Sequence, residues 1–342
     1  MTLTERLQDQ YRRFWPETVD VVMGQLLLHQ FFWYRNRPRV LGQMRHEWPA
    51  LLSGELSEVF APLPPALDLA ECHSAWLERP WGPAEDLTFL STITSAFPKN
   101  NHVWCRRWRP QGEDRRRVVV GCDGIVQMGC GWFTGLARRL MPQGLGVVMM
   151  DSAFNFRRTP EGYRAGQLIV LGDLDHQLTV ARQSVLDLCQ VIRSLQQEGL
   201  SVGLVGCSYG GWLVLMAALL MADLDFVIAL APPVDIAALL KSRSPFVRAV
   251  QYGLDANPEL MDQWEIAARA VRVAEWQPRL DPAAVSLHIA EYDRFVPTAS
   301  IVELAEQWGT RLTSHRESHY PLTSRSTVRD QVAEEVLQFW PR

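Results

Sequence analysis

The sequence predicts an α/β fold: a mostly parallel central sheet with helices on both faces, entered through an antiparallel hairpin. Two observations carry the prediction. Short runs rich in β-branched and aromatic residues alternate with helical periodicity from residue 87 to the end of the chain. The first two runs, Leu87–Ser95 and His102–Arg109, are joined only by the turn Pro98-Lys99-Asn100-Asn101, a hairpin signature. With 342 residues, 47% of them apolar, the chain can bury one large core and carry an appendage.

Beyond the hairpin the elements follow in turn. Arg117–Val120 and Gly146–Met150 are compact apolar strands, separated by helical spacing at Thr134–Leu140. Across His176–Glu198, Leu178, Ala181, Val185, Leu188, Ile192 and Leu195 form one stripe, with Asp175 placed to cap the start and Gly199 to end it. Val202–Val205 reads as a strand, and Trp212–Met221 as a helix apolar on nearly every side, hence fully buried. Strands at Phe226–Ala231, Val285–Ala290 and Arg311–His315 and helices at Thr298–Trp308 and Ser326–Phe339 complete the alternation. The interval Asp235–Leu280 breaks it. Helical and about 45 residues long where a connection usually takes about 2–6, it reads as an insertion and is expected to form a lid.

Residues 1–86 read as a helical extension packed on the main domain, 87–342. Trp15-Pro16, Arg37-Pro38, Trp48-Pro49 and the Pro62–Pro65 stretch interrupt its periodicity, and nothing in it looks like chemistry. Its most apolar segment, Val21–Tyr34, is shorter than the roughly 17–25 residues a spanning helix needs. A helix packed on the main domain is the expected role. Arg35, Arg37 and Arg39 behind it keep a peripheral membrane contact as the alternative.

A net charge of −4 argues against a nucleic-acid binder. The start of the chain lacks a basic stretch followed by an apolar core, so no signal peptide is expected. The six cysteines have no CxxC pair and no regular spacing, which fits reduced thiols in a cytoplasmic protein. Oligomeric state is not set by any feature of the sequence.

The chemistry centres on Gly206-Cys207-Ser208-Tyr209-Gly210. The pattern is cheap in a chain with 22 glycines, so its weight comes from the strand before it and the helix after it. A serine at that junction sits on a tight turn that projects its oxygen from the sheet edge. Such an oxygen is a poor nucleophile unless a base takes its proton, and an imidazole oriented by a carboxylate does so near neutral pH. Catalytic groups of parallel sheets gather at the carboxyl ends of the strands. There, Val285–Ala290 leads into Asp293, and Arg311–His315 leads into His319. Ser208 as nucleophile, His319 as base and Asp293 as acid are the expected catalytic residues. His315 is the rival base, and Glu291 and Asp235 are the rival acids.

The order Ser, Asp, His, the Gly206–Gly210 turn, the Asp293…Val296-Pro297 turn and the element order make residues 87–342 resemble the α/β-hydrolase superfamily. Arg157-Arg158-Thr159-Pro160 after the fourth strand is similar to a little-described branch of it. The resemblance implies a serine hydrolase that forms an acyl-enzyme, with a small-molecule ester or thioester substrate and no cofactor or metal. It also implies two oxyanion donors, the backbone N–H of Tyr209 and that of Ile125. Asp123 stands where the family often has histidine in this loop. The alternatives are a lipid hydrolase at a membrane surface and a hydrolase fold retained as a binding module. Arg157 and Arg158 read as a solvated loop, with an anion-holding role second.

Overall fold

The computed structural model describes residues 3–32, 56–77, 83–110, 116–126, 129–172, 174–245, 247, 267–268 and 271–340. Among these a nine-stranded sheet organises the chain. Its strands are β1 (His73–Leu77), β2 (Ala84–Leu90), β3 (His102–Trp108), β4 (Arg117–Cys122), β5 (Gly146–Met150), β6 (Ser201–Cys207), β7 (Leu224–Leu230), β8 (Val285–Ala290) and β9 (Arg311–His315). Their order across the sheet is β1-β2-β3-β5-β4-β6-β7-β8-β9. The first three strands are antiparallel, β3 meets β5 antiparallel, and every pair from β5 to β9 is parallel.

The helices are α1 (Leu3–Phe32), α2 (Leu56–Val59), α3 (Gly131–Leu140), α4 (Gln167–Val170), α5 (Leu174–Gln197), α6 (Tyr209–Leu220), α7 (Ile236–Lys241), α8 (Thr298–Trp308), α9 (His319–Ser324) and α10 (Ser326–Phe339). Side chains alternate across a strand, so each central strand feeds two cores. Val118, Val120, Leu204 and Val227 point to a core shared with α5, α6 and α8. Val119, Val205, Cys207 and Ile228 point to a second core under α3 and α10. The helix α6, apolar all round in sequence, is buried along its whole length.

Two features of the first 86 residues differ from expectation. β1 is a strand where helix and connectors were expected, so the sheet starts before residue 87. Four of its five residues are exposed, so it carries no alternation of apolar and polar positions that a sequence pattern could reveal. Pro16, expected to interrupt, lies inside the continuous α1. The proline removes one helical donor, and the helix is held from outside, where the Ser318 hydroxyl donates to the Pro16 carbonyl. Of the predicted insertion, residues 246, 248–266 and 269–270 lie outside the described residues, Phe246, Val250, Tyr252, Leu254 and Trp264 among them.

Candidate active site

The central strand β6 ends at Cys207 and α6 begins at Tyr209, leaving Ser208 alone to turn the chain. It does so at φ 52° and ψ −121°, a conformation L-residues rarely adopt. The flanking glycines are required by close backbone approach. A Cβ on Gly206 would come within 2.2 Å of the Gly210 carbonyl oxygen, and one on Gly210 within 2.1 Å of the Cys122 carbonyl oxygen. The turn is therefore packed between its own helix and the end of β4. The Ser208 N–H donates to the Leu230 carbonyl at 2.7 Å, which anchors it to β7 as well.

Beyond β8, Asp293 folds its turn around one carboxylate oxygen. Oδ1 accepts the N–H groups of Phe295 (2.7 Å) and Val296 (2.8 Å), leaving Oδ2 to accept from His319 Nδ1 at 2.7 Å. His319 opens α9 after β9, and its Nε2 lies 2.9 Å from Ser208 Oγ. With the carboxylate fixing the proton on Nδ1, Nε2 presents a lone pair to the hydroxyl. Burial by itself would pull the imidazole pKa down. The charge and hydrogen bond of Asp293, with Asp20 behind, outweigh it and raise the pKa above the ordinary histidine value.

The rivals are engaged elsewhere. His315 Nε2 lies 2.9 Å from His288 Nδ1, and burial together with His288 pushes its pKa down to about 4. Glu291 accepts from the Ser314 hydroxyl at 3.0 Å. Asp235 caps α7 through the Ala238 N–H at 2.8 Å and pairs with Arg272 at 2.8 Å. The Cys207 thiol is fully buried, and burial raises its pKa well above that of an ordinary thiol, which suits a core residue and not a nucleophile.

Tyr209 is the first residue of α6, where N–H groups have no intrahelical acceptor. The Gly124–Ile125 loop faces it across Ser208; a Cβ on Gly124 would sit 3.4 Å from Ser208 Cβ and 3.8 Å from Oγ. Two groups hold that loop. Asp123 Oδ1 accepts the Gly124 N–H at 2.8 Å, and Asn155 Nδ2 donates to the Gly124 carbonyl at 2.8 Å. Burial pushes the Asp123 carboxyl up to about 6.

A cavity of about 170 Å³ opens beside Ser208 and His319. Its walls are overwhelmingly apolar and include Leu27 of α1, Ile169, Leu178 and Trp212. Leu239, Leu240 and Val271 from the predicted insertion add to them.

The paired arginines are neither solvated nor free to hold an anion. Arg158 is fully buried; its Nη1 meets Asp187 Oδ2 at 2.8 Å, and Nε and Nη2 donate to the Asn100 carbonyl. Arg157 pairs with Asp151 at 2.8 Å and with Asp86 at 3.0 Å. The loop after β5 is thus bolted to the hairpin turn and to α5.

Sequence reasoning passed over three residues near the site: Asn155, Leu27 and, above all, Asp20. Asp20 lies in the extension that reads as free of chemistry, yet its fully buried carboxylate accepts the His319 N–H at 2.9 Å. The one hint is an acid set between Val19 and Val21 in an apolar helix segment. No cluster of three or more His, Cys, Asp or Glu side chains suited to a metal ion occurs among the described residues.

No protein-family model and no curated protein sequence matches this chain. Its structure is similar to that of acetyl xylan esterase 1 from Thermoanaerobacterium sp. JW/SL YS485, at 16% identity and a TM-score of 0.60, covering 86% of this chain and 94% of that one. It is likewise similar to an acetyl xylan esterase from Paenibacillus sp. R4, at 13% identity and a TM-score of 0.61, covering 91% and 98%. Est1E from Butyrivibrio proteoclasticus matches at 14% identity and a TM-score of 0.52 over 75% and 99%. The chain has the α/β-hydrolase fold.

Proposed function

We propose that this α/β-hydrolase-fold chain is a carboxyl-ester hydrolase that works through an acyl-enzyme on Ser208, His319 and Asp293. One observation carries the reading: an unbroken hydrogen-bonded path of 2.9 and 2.7 Å from the Ser208 hydroxyl through the His319 ring to the Asp293 carboxylate. In this reading Ser208 Oγ attacks the carbonyl carbon as its proton passes to His319 Nε2. The oxyanion is received by the N–H groups of Tyr209 and Ile125, and Asp293 stabilises the imidazolium. Collapse expels the alcohol or thiol, protonated by His319, and a water activated by the same ring releases the acid. The apolar cavity supports an aliphatic or aromatic acyl group over a charged one, and residues 235–280 would act as its lid.

Hydrolysis of p-nitrophenyl esters of graded acyl length tests the reading, together with labelling by a fluorophosphonate. Ser208→Ala is expected to abolish both. Full turnover by the alanine variant, or no labelling of well-folded wild type, would overturn it; the second result favours a binding module.

A second reading adds a membrane surface. Phe14, Trp15, Val22 and Leu26 of α1 lie on one helical stripe and are each about half exposed or more, on the helix whose Leu27 walls the cavity. No helix among the described residues is long and apolar enough to cross a membrane. Flotation of the protein with anionic liposomes, lost on Trp15→Ser/Leu26→Ser, is the expected result; equal flotation of both proteins, or of neither, counts against it.

A further inference from the structure

Asp20 stands 299 residues before His319 in the chain and beside it in space. Both of its carboxylate oxygens accept backbone N–H groups. Oδ2 accepts the N–H of His319 at 2.9 Å and of Arg294 at 3.1 Å. Oδ1 accepts the N–H of Tyr320 at 3.0 Å and lies 3.0 Å from the Ser318 hydroxyl, whose single proton is shared between this carboxylate and the Pro16 carbonyl. These donors belong to two separate loops. Arg294 directly follows Asp293 in the turn after β8, and Ser318–Tyr320 bracket His319 after β9.

A fully buried acid is costly to fold unless hydrogen bonds replace the water it has lost. Among the described residues no guanidinium pairs with it, and the Arg294 side chain turns to Glu17 at 2.8 Å. Burial raises its pKa and the backbone N–H groups oppose the rise; an acid kept in that setting, bonded to the backbone of His319 and of the residue next to Asp293, points to a role at the site. The same helix lends Leu27 to the cavity wall, so α1 belongs to the active-site architecture.

We infer that Asp20 is a positioning residue for the Ser208–His319–Asp293 reaction, clamping the two loops that carry the base and its carboxylate together through their backbone N–H groups. The inference rests on the proposed ester hydrolysis. Through this clamp, His319 keeps simultaneous contact with Asp293 Oδ2 and Ser208 Oγ, a geometry in which about 1 Å of drift costs on the order of 10²-fold in rate. Asp20 also acts on the ring as a charge. The groups facing His319 are Asp293 from the β8 loop and Asp20 from α1, and both raise its pKa. Those facing Asp20 are His319, Tyr320 and Asp293, with the Arg294 N–H; Tyr320 in turn feels Asp123.

The test compares wild type, Asp20→Asn, Asp20→Ala and Ser208→Ala in steady-state ester hydrolysis across pH, with circular dichroism to fix the folded fraction. Asp20→Ala is expected to lower kcat on the order of 10²-fold with KM little changed. Asp20→Asn keeps the shape but loses the charge and half of the acceptors. It should lower kcat less and move the acid-limb midpoint of kcat/KM to lower pH, a shift that a loss of folded protein would not produce. In intact wild type, amide exchange at Arg294, His319 and Tyr320 should be slow although all three lie in loops or at a helix start. Wild-type kcat and an unmoved pH profile in folded Asp20 variants overturn the inference and leave the hydrolase reading standing. Activity retained by Ser208→Ala overturns both. Should neither Asp20 variant fold, fast exchange at all three wild-type amides is the overturning result.

Discussion

Gly210→Ala isolates the link between the turn at Ser208 and the loop that faces it. An alanine Cβ at this position would lie 2.1 Å from the Cys122 carbonyl oxygen, 2.4 Å from its carbon and 2.6 Å from the Asp123 carbonyl oxygen. Real Cβ atoms keep at least about 3.0 Å from such atoms, so the start of α6 and the end of β4 must part by about 0.9 Å. No flexible side chain can absorb the displacement, because the obstructing atoms are all backbone. Overpacking of this kind costs about 1–3 kcal/mol of stability, a loss of a few degrees in Tm. The larger effect is expected in catalysis. Cys122 and Asp123 lead directly into Gly124 and Ile125, so the gap opens between the nucleophile and one of its two proposed oxyanion donors. A shift near 1 Å costs on the order of 10²-fold in kcat, about 2.7 kcal/mol of barrier. Steady-state hydrolysis of a p-nitrophenyl ester and a thermal melt, run on the same preparation, measure both terms. A variant within twofold of wild-type kcat and with an unchanged Tm would refute the packing argument. A Tm loss without a kcat loss would refute the coupling to the oxyanion loop.

Arg158→Met should destabilise the fold by about 3–5 kcal/mol in urea denaturation, since it strips a buried Asp187 of its cation and leaves it only the Ser91 hydroxyl, and Arg158→Met/Asp187→Leu should recover much of the loss. Asp123→Asn tests a raised carboxyl. Because the folded pKa near 6 lies above the unfolded 3.8, the stability from protonation is full below about pH 4 and is lost as pH rises through 6. The variant should therefore gain about 1–2 kcal/mol over wild type at pH 8, an amount already discounted for partial exposure, and nothing at pH 4; a pH-independent difference would contradict this. Attack requires the neutral imidazole, so the raised His319 pKa puts the acid-limb midpoint of kcat/KM above the ordinary histidine value. Asp293→Asn should move that midpoint down and cut kcat on the order of 10⁴-fold.

What the sequence discloses and what it conceals divide along a physical line. β5 and β8 and the helices α8 and α10 coincide with the expected spans, because burial on one or both faces stamps a period on the residues themselves; β9, an edge strand with only His315 buried, also coincides, its place set by the alternation of strands and helices around it. The juxtaposition of Ser208, Asp293 and His319 was legible for a related reason. Each follows a readable strand by a few residues, and parallel strands deliver their carboxyl ends to one rim. β1 was hidden because an exposed edge strand owes its existence to the pairing of its backbone with β2, and backbone hydrogen bonding leaves no mark on side-chain choice. Arg157 and Arg158 misled in the opposite way: two adjacent cations look solvated until Asp86, Asp151 and Asp187, distant in sequence, are seen to surround them.

Asp20 combines both kinds of concealment, and it bears on how the chain is organised. A division at residue 86 treats the extension as cladding on a self-sufficient domain. Yet the extension supplies an acceptor for three backbone N–H donors in the two loops that hold His319 and Asp293. Without α1 those donors would face water, and the distance between the β8 and β9 loops would rest on the Asp293–His319 bond, whose alignment it has to preserve, and on the Tyr292 N–H to Glu317 carbonyl bond at 3.0 Å. A catalytic hydrogen bond cannot both do the positioning and be free to respond to the proton it carries. Removing residues 1–32 should therefore cost far more activity than stability, and a truncated chain that melts like wild type and hydrolyses esters at the wild-type rate would show the loops to be self-supporting.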